Sequence, residues 1–413
     1  MKRLALHRIF LTVVALAACS TASGQTLVGF ASLPADTFAP GPTSGQLILP
    51  PFPNGRVPPF VDKQPVQGFS SVLRTSKGDF LGMPDNGFGT KESSPDYILR
   101  VYRISPDFKT RRGGDGTIEV KSFITLRDPH RKINFPILAE RDVYPGSTTP
   151  VDPRIRRNRW LTGWDFDIES VREAHDGTLW FGDEFGPFLI HTDATGKVLE
   201  APYPLPNVQS PQNPFLGSGT FNLPRSKGFE GMAISPDGKT LYPMLEGALT
   251  TDADQRRLII NEFDIRKRRY TGRQWFYRLD DPLFAIGDLT TVEKGLFLVI
   301  ERDNNQGAAA VFKKIFIVDF RQRDAAGFLV KYEVADLMQI EDPFDLGGLG
   351  PVFTFPFQTI ESVIPLGGRW LGILDDNNYP FSAARTPGEP DPNEFIIIRL
   401  DRPIRFFARR HDW

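Results

Sequence analysis

The stretch Asp165–Pro187, DFDIESVREAHDGTLWFGDEFGP, places two apolar runs on either side of the turn sequence Asp176-Gly177. Asp-Gly between two strand-like runs is a strong short-range signal for a β-hairpin. Glu169 lies eight residues before Gly177 and Glu184 lies seven after it, so the hairpin brings two carboxylates together at its open end. Like charges placed opposite one another destabilise a sheet, and we expect a cation to offset this repulsion.

Similar hairpins recur along the chain, at 68–87, 165–187, 228–247, 285–304 and 359–377. Each is followed by one or two further strand-like runs, and the repeat starts are about 60 to 100 residues apart. Radial repetition of four-stranded antiparallel sheets is the pattern of a β-propeller. We therefore predict an all-β propeller of five or six blades that forms a single domain over residues 26–413.

In this prediction the N-terminal strand pairs with the last repeat. The last repeat lacks one strand, while Thr26–Leu33 is a strand without a repeat, and pairing them closes the ring and hides both sheet edges. A sixth, weaker blade has two possible places, residues 26–67 and residues 127–164. The second segment is rich in Arg and Pro, and we interpret it as an insertion that lies over one face, either as a lid or as a long surface loop.

The N-terminus predicts export. Lys2, Arg3 and Arg8 precede a short apolar run and then small residues, which is the pattern of a secretory signal peptide over residues 1–24. Alternatively, Leu16–Cys19 resembles a lipobox, which predicts cleavage after residue 18 and a lipid anchor at Cys19. The expected locations are the periplasm, the cell envelope (as an outer-membrane lipoprotein) or the medium. No other apolar stretch is long enough to span a membrane, and the single cysteine excludes disulfides within the chain.

Net charge and composition argue against several classes of function. Without residues 1–24 the chain has 46 basic residues (49 less Lys2, Arg3 and Arg8) against 50 acidic ones, a net charge of −4, which does not favour nucleic acid as a partner. Few histidines and no cysteine beyond Cys19 argue against zinc. A Gly-x-Ser-x-Gly elbow is missing from the sequence, which argues against a Ser-His-Asp hydrolase.

Acidic residues recur at equivalent positions of the repeats. The first strands carry Ser70, Glu169, Glu230, Gly287 and Glu361, and the return strands end at Asp85, Asp183-Glu184, Glu246, Glu301 and Asp375-Asp376. First strands of a propeller line one channel, so these side chains should meet around one axis. Carboxylates without Cys or His suit Ca²⁺ first and Mg²⁺ or Mn²⁺ after it. The predicted metal ligands are Glu169, Asp183, Glu230, Glu301, Glu361 and Asp375. Each acid taken singly is also explained as a turn cap at a strand end.

Basic residues lie beside these acids in the sequence. Arg225 and Lys227 are predicted to bind an anionic substrate group, and Arg302 or Lys227 to hold the substrate phosphate. The alternative is that the three bases only balance the charge of the acids. A carboxylate not used by the metal, Glu184 or Glu246, is the predicted general base.

Four motifs carry a family resemblance: Asp167–Ser170 (DIES), Gly182–Pro187 (GDEFGP), Lys227–Ala233 (KGFEGMA) and Glu301–Asn304 (ERDN). With them the chain resembles, over roughly 27–400, the phytase-like family named for the esterase-like activity of phytase. The resemblance implies an exported bacterial propeller protein that hydrolyses phosphate esters or other esters with the help of a metal. Glu169, Asp183, Glu184, Glu230 and Glu301 are the motif acids. The fourth repeat departs from the pattern at Gly287, where Asp288 is the possible substitute.

The leading hypothesis is thus an exported, Ca²⁺-dependent hydrolase of phosphate esters or other esters. The cation would polarise the phosphoryl oxygen and activate a water. Two alternatives stand beside it: a non-catalytic envelope scaffold whose cation ties the blades together, and a lactonase-like propeller hydrolase.

Overall fold

The computed structural model describes residues 24–75 and 78–409, so Cys19 and both predicted cleavage sites lie outside the described residues. Within them, short β-strands joined by turns make up most of the regular structure. The strands are β1 (Gln25–Leu33), β2 (Phe38–Pro40), β3 (Lys63–Pro65), β4 (Ser71–Arg74), β5 (Phe80–Met83), β6 (Arg100–Asp107), β7 (Thr117–Thr125), β8 (Ile168–Glu173), β9 (Leu179–Asp183), β10 (Phe188–Thr192), β11 (Tyr203–Pro204), β12 (Phe229–Ile234), β13 (Thr240–Leu245), β14 (Arg257–Asp264), β15 (Arg269–Arg278), β16 (Ala285–Glu293), β17 (Leu296–Arg302), β18 (Lys313–Arg323), β19 (Leu329–Asp336), β20 (Ile340–Glu341), β21 (Val352–Phe353), β22 (Thr359–Gly367), β23 (Trp370–Asp376) and β24 (Asn393–Leu400). The helices are α1 (Pro153–Asn158) and four 3₁₀ segments, at Pro53–Gly55, Leu138–Glu140, Gly307–Ala309 and Ile404–Arg409.

Four-stranded antiparallel sheets follow one another along the chain. β8–β11, β12–β15 and β16–β19 each form a separate sheet in which consecutive strands pair, and β4–β7 pair in the same way. Asp176-Gly177 forms the turn between β8 and β9 as predicted, with Gly177 in the left-handed region at φ 77°. The all-β, propeller-like architecture expected from the repeats is therefore confirmed.

The N-terminal strand pairs with the last repeat. β1 runs antiparallel to β24, from Gln25 opposite Leu400 to Leu33 opposite Asn393, and so stands beside β22–β24 as a fourth strand. Ser32 of β1 also forms one parallel bridge to Thr117 of β7. The sheet of the last repeat is thus joined at its outer edge to the sheet of the first repeat.

The first strands of the repeats lie side by side at the centre of the molecule. β4, β8, β12, β16 and β22 contact one another in that order, and β22 also contacts β4. Hairpin pairing places the start of each first strand beside the end of its return strand, for example Ile168 opposite Asp183. All these strand ends lie at one end of the molecule, which we refer to as the channel mouth.

Residues 127–164 pack into the core between the first and second repeats. Ile137, Leu138 and Ile155 are buried there against Phe166, and each fully buried side chain of this kind contributes roughly 1.5–3 kcal/mol. The backbone N–H of Leu138 donates to the Asp165 carboxylate at 2.7 Å. The segment therefore forms part of the wall of the second repeat. No helix within residues 24–75 and 78–409 is both long and apolar enough to cross a membrane.

Candidate functional site

A β-bulge occurs at the same position in four of the five first strands. The pairing register slips around Glu169, Glu230, Gly287 and Glu361, so that two residues of the first strand face one residue of the return strand. A bulge re-aims a side chain out of the regular alternation of the strand and is common beside functional sites. The repeat position singled out in the sequence is thus a special backbone position as well.

Glu169 and Glu230 converge at the channel mouth, and Glu184 joins them. Each of the three offers a carboxylate oxygen within 4.8 Å of the other two, and all three residues are buried. In a second group, made of Asp85, Asp167 and Glu169, each residue likewise offers a carboxylate oxygen within 4.8 Å of the other two. Glu169 belongs to both groups, so two candidate cation positions share one carboxylate.

These carboxylates lack compensating partners. Glu184 Oε1 and Glu230 Oε1 are buried without a hydrogen-bond partner. Burial, followed by the charges of neighbouring acids, raises the pKa of Glu169, Glu184 and Glu230 well above its usual range. Burial and then Asp85 raise the pKa of Asp167 to about 8. Taking a carboxylate out of water costs several kcal/mol unless a counter-charge is present, and a cation would supply that charge.

Glu361 lies in the same cluster but already has a basic partner. Arg302 Nη2 lies 3.3 Å from Glu361 Oε1 and 3.7 Å from Glu246 Oε1. Burial raises the pKa of Glu361 to about 7, and Arg302 partly opposes that rise. Lys227 forms a second ion pair with Glu246. The charge is therefore balanced on this side of the channel mouth.

The acids on the opposite side of the cluster have no basic partners of this kind. Among the residues that the structure describes, no Arg or Lys forms a salt bridge with Glu169, Glu184 or Glu230. The channel mouth thus has a neutralised side at Glu246 and Glu361 and a cation-poor side at the two groups that share Glu169. A bound metal would complete the cation-poor side.

Besides Glu361, three predicted metal ligands do not join these groups, and strand pairing explains why. Asp183, Glu301 and Asp375 stand directly opposite Ile168, Ile286 and Ile360. Paired residues point their side chains to the same face of a sheet, and these isoleucines point into the core. The residue that follows each predicted ligand is the one at the channel mouth: Glu184, Arg302 and Asp376.

Each of the three has a structural role instead. Asp183 accepts the backbone N–H of Asp167 at 2.9 Å and of Gly186 at 2.8 Å. Glu301 is bound by Tyr277, by Lys331 and by a backbone N–H, each at 2.6 Å.

Asp375 accepts the backbone N–H of Glu394 at 2.6 Å. Burial first, and then the charges of Glu394 and Asp391, raise its pKa well above the usual range.

The fourth repeat contributes no carboxylate to the cluster. A Cβ added to Gly287 would lie 1.9 Å from the carbonyl oxygen of Ile360, so no side chain fits at this bulge. Asp288, the suggested substitute, is bound by Arg172 at 2.8 Å and by the backbone N–H of Val363 at 3.1 Å. The fourth repeat supplies Arg302 at the channel mouth.

Arg225 lies at the exposed rim, where it pairs with Glu92 at 2.7 Å, and within the described residues it forms no ion pair with the acids of the cluster. Glu184, predicted as a general base, is one of the grouped acids. Three further acids of the site were given no role in the prediction: Asp85, Asp167 and Asp376. Asp167 precedes Glu169 by two residues in the same DIES motif, and this proximity in sequence is the signal that could have found it. Asp376 interacts with Glu361 and Asp85, and burial first, then these charges, raise its pKa well above the usual range.

Comparison with known proteins gives a family match over most of the chain. The family model described as phytase-like, esterase-like activity of phytase, matches residues 64–379. An uncharacterized secreted protein from Arthroderma benhamiae is 26% identical over 189 residues, which cover 35% of this chain and 36% of that protein. The match thus spans little more than a third of the length of that relative.

Similar solved structures have low sequence identity. A protein from Lactobacillus plantarum has a TM-score of 0.36 at 12% identity, with 76% of this chain and 81% of that chain covered. A luciferin-regenerating enzyme has a TM-score of 0.35 at 12% identity, with 79% and 75% covered. The PQQ-bound aldose sugar dehydrogenase from Streptomyces coelicolor has a TM-score of 0.33 at 10% identity, with 92% and 99% covered.

Proposed function

The chain belongs to the phytase-like family described by the esterase-like activity of phytase, and we propose that it is an exported, Ca²⁺-dependent hydrolase of phosphate esters or other esters. One observation carries the proposal. Glu169, Glu184 and Glu230 converge within 4.8 Å at the channel mouth, and two of their buried oxygens have no hydrogen-bond partner.

The donor set fits calcium. All donors are carboxylate oxygens, which suit hard cations. In both groups each residue offers an oxygen within 4.8 Å of the others, a spread that one Ca²⁺ ion with ligand oxygens at about 2.3–2.6 Å can bridge. Mg²⁺ needs a smaller, near-octahedral shell, so Mg²⁺ and Mn²⁺ rank behind Ca²⁺. Glu169, Glu184 and Glu230 would hold one cation, and Asp85, Asp167 and Glu169 a second.

Glu246 and Arg302, on the neutralised side of the channel mouth, have roles in the proposed reaction. A bound Ca²⁺ would act as a Lewis acid toward the ester oxygen. Glu246, held by Lys227 and Arg302, is the better candidate for general base, because Glu184 is one of the grouped ligands. Arg302 keeps one unpartnered buried donor, Nε, and is the candidate for holding an anionic oxygen of the substrate.

The proposal also includes the number of blades and the location of the protein. We infer five blades, with β1 as the closing strand, from the pairing of β1 with β24 and the contact of β22 with β4. Export is supported by the signal-peptide pattern and by a relative whose name calls it secreted. A lipid anchor at Cys19 remains the alternative to ordinary cleavage.

Metal analysis and an ester panel test the proposal. Purified protein should contain Ca²⁺, and hydrolysis of a phosphate monoester or a carboxylic ester should stop with EDTA and return with Ca²⁺. Glu230→Gln should lose the activity, whereas the matched control Glu119→Gln, an exposed acid on β7, should keep it.

Other outcomes would select the alternatives. Activity that ignores EDTA and survives Glu230→Gln contradicts the proposed mechanism. A higher melting temperature with Ca²⁺ but no turnover of any ester selects the scaffold. Hydrolysis of lactones alone selects the lactonase-like enzyme.

A further inference from the structure

Gln67, in the segment between β3 and β4, lies beside the second carboxylate group, which is made of Asp85, Asp167 and Glu169. Gln67 is 1% exposed. Its amide nitrogen donates to Asp85 Oδ1 at 3.2 Å and to the backbone carbonyl of Gly87. A polar but uncharged side chain is thus buried in contact with one of the three acids.

The two partners of the Gln67 amide determine its orientation. A carbonyl oxygen and a carboxylate only accept hydrogen bonds, so the NH₂ group faces both of them. Oε1 is bonded to the same carbon as Nε2 and therefore also lies near Asp85. Within residues 24–75 and 78–409, this buried Oε1 has no hydrogen-bond partner. An unpaired buried acceptor is unfavourable, and a cation beside Asp85 would pair with it.

Asp167, in the same group, also has an unpaired oxygen. Its Oδ1 is buried without a hydrogen-bond partner, although the side chain of Asn86 hydrogen-bonds the carboxyl group. None of the three acids forms a salt bridge with an Arg or Lys in the part of the chain that the structure describes. An acid and an amide thus leave buried oxygens unpaired beside one group of carboxylates, and both oxygens suit a cation.

A glutamine oxygen is a suitable further ligand for calcium in this group. Ca²⁺ takes about six to eight oxygen ligands, and the side-chain carbonyls of Asn and Gln are among them. The three carboxylates already carry more negative charge than the ion neutralises, so a neutral oxygen adds a ligand without adding repulsion. A metal ion binds among its ligands rather than in an open cavity, so a buried oxygen can reach it. Asp85, which is only half-buried, gives the ion access from solvent.

We propose that Gln67 is the neutral ligand of a Ca²⁺ ion that Asp85, Asp167 and Glu169 hold. Oε1 binds the ion, while Nε2 keeps its two hydrogen bonds and positions Asp85. The ion of the other group, at Glu184, does not contact Gln67, so the two ions can be weakened separately. The inference rests on the proposed function, since it needs the second cation position, but it concerns a residue to which that proposal gives no role.

Calorimetric titration of the EDTA-treated protein with Ca²⁺ tests the inference. The unmodified chain should bind two ions. Gln67→Met keeps the length of the side chain but loses the oxygen, and it should weaken one of the two ions by roughly tenfold or more, the scale of losses at altered metal sites. Gln64→Met is the matched control, because Gln64 is equally buried but both of its amide atoms are hydrogen-bonded to the backbone of Ile98. The control should leave both affinities unchanged.

A second variant decides if Gln67→Met does not fold. Gln67→Glu adds a carboxylate to the group, so Ca²⁺ should raise its melting temperature more than it raises that of the unmodified chain. An equal or smaller rise overturns the inference. A single bound ion in the unmodified chain, or two ions that Gln67→Met leaves unchanged, overturns the inference alone. Absence of any Ca²⁺ binding overturns both the inference and the proposed function.

Discussion

Arg172 and Asp288 form a buried ion pair across the channel, with Nη2 of the arginine 2.8 Å from Oδ1 of the aspartate. Arg172 also donates to the Ser71 hydroxyl at 3.0 Å, and Asp288 Oδ2 accepts the backbone N–H of Val363 at 3.1 Å. The pair therefore connects β8 and β16 to each other and to β4 and β22. Four of the five first strands are tied at a single point.

Arg172→Met should destabilise the protein by about 3–5 kcal/mol, because it leaves the buried charge of Asp288 without a partner. Adding Asp288→Asn should recover part of the loss, since the uncompensated charge is then gone. Urea unfolding measures both effects. The partly exposed pair Arg103–Asp79 is the control, and Arg103→Met should cost about 0–1 kcal/mol. Equal effects at the two sites would contradict the role given to the buried pair.

Calcium affinity should depend on Glu169 far more than on Glu361. Glu169 belongs to both carboxylate groups, whereas Glu361 is already paired with Arg302. We expect Glu169→Gln to weaken Ca²⁺ binding by at least tenfold, roughly the scale of losses at metal sites, and Glu361→Gln to change it much less. Calorimetric titration of the EDTA-treated protein with Ca²⁺ gives both affinities. If Glu361→Gln weakened Ca²⁺ binding more than Glu169→Gln did, the cation site would lie on the side of Arg302 instead.

Without metal, the protein should lose stability as the pH rises from 5 to 8. The pKa of Asp167 is about 8 and that of Glu361 about 7 in the folded state, well above the values of an unfolded chain. A raised carboxyl pKa means that the folded state binds more protons between the two pKa values. The resulting stability is complete below the unfolded pKa and is lost as the pH rises through the folded one, at up to about 1.4 kcal/mol per pH unit for each group.

Melting curves across this pH range, with EDTA and with Ca²⁺, check the sign. The melting temperature in EDTA should fall between pH 5 and 8, and Ca²⁺ should restore it most at the alkaline end, where the carboxylates are ionised. A melting temperature in EDTA that rises over this range would show that the carboxylates are stabilised as anions without metal.

Gly287→Ala should strongly destabilise the protein. The added Cβ would lie 1.9 Å from the Ile360 carbonyl oxygen, and overpacking against backbone costs about 1–3 kcal/mol or more. Gly29→Ala on β1 is the control, because its Cβ would meet the side chain of Ile397 at 3.3 Å rather than backbone. Urea unfolding of the two variants checks the difference. Similar stability of both would mean that β16 and β22 can separate at this point.

The sequence predicted the hairpins and the shared first-strand position well, because both depend on local signals. Asp-Gly turns and the alternation of apolar residues locate β8 with β9, and the unpaired strand 26–33 indicated a partner for the last repeat, which is β24. Glu169 and Glu230 were found because they recur at equivalent positions. These features repeat along the chain and need no knowledge of packing.

The sequence could not choose between neighbouring residues at the ends of the return strands. Asp183 and Glu184 are both acidic, and only the pairing register decides which one reaches the channel mouth. The bulge at Glu169 shifts that register by one residue, and a shift of one residue reverses the face to which a side chain points. The same reason separates Glu301 from Arg302. Bulges have no distinctive residue signature in these strands.

One position of each first strand lies at the channel mouth, and the residue there differs between repeats. Ser70, Glu169, Glu230, Gly287 and Glu361 occupy that position, four of them at a bulge. A residue displaced from the alternation of its strand is not needed to fill the core of its own sheet. Exchanging one of the three glutamates would thus change the charge at the channel mouth and leave the sheets intact, whereas Gly287 has no room for a side chain beside the Ile360 carbonyl oxygen. The residues that set the charge of the channel mouth are therefore largely separate from those that fill the cores of the sheets.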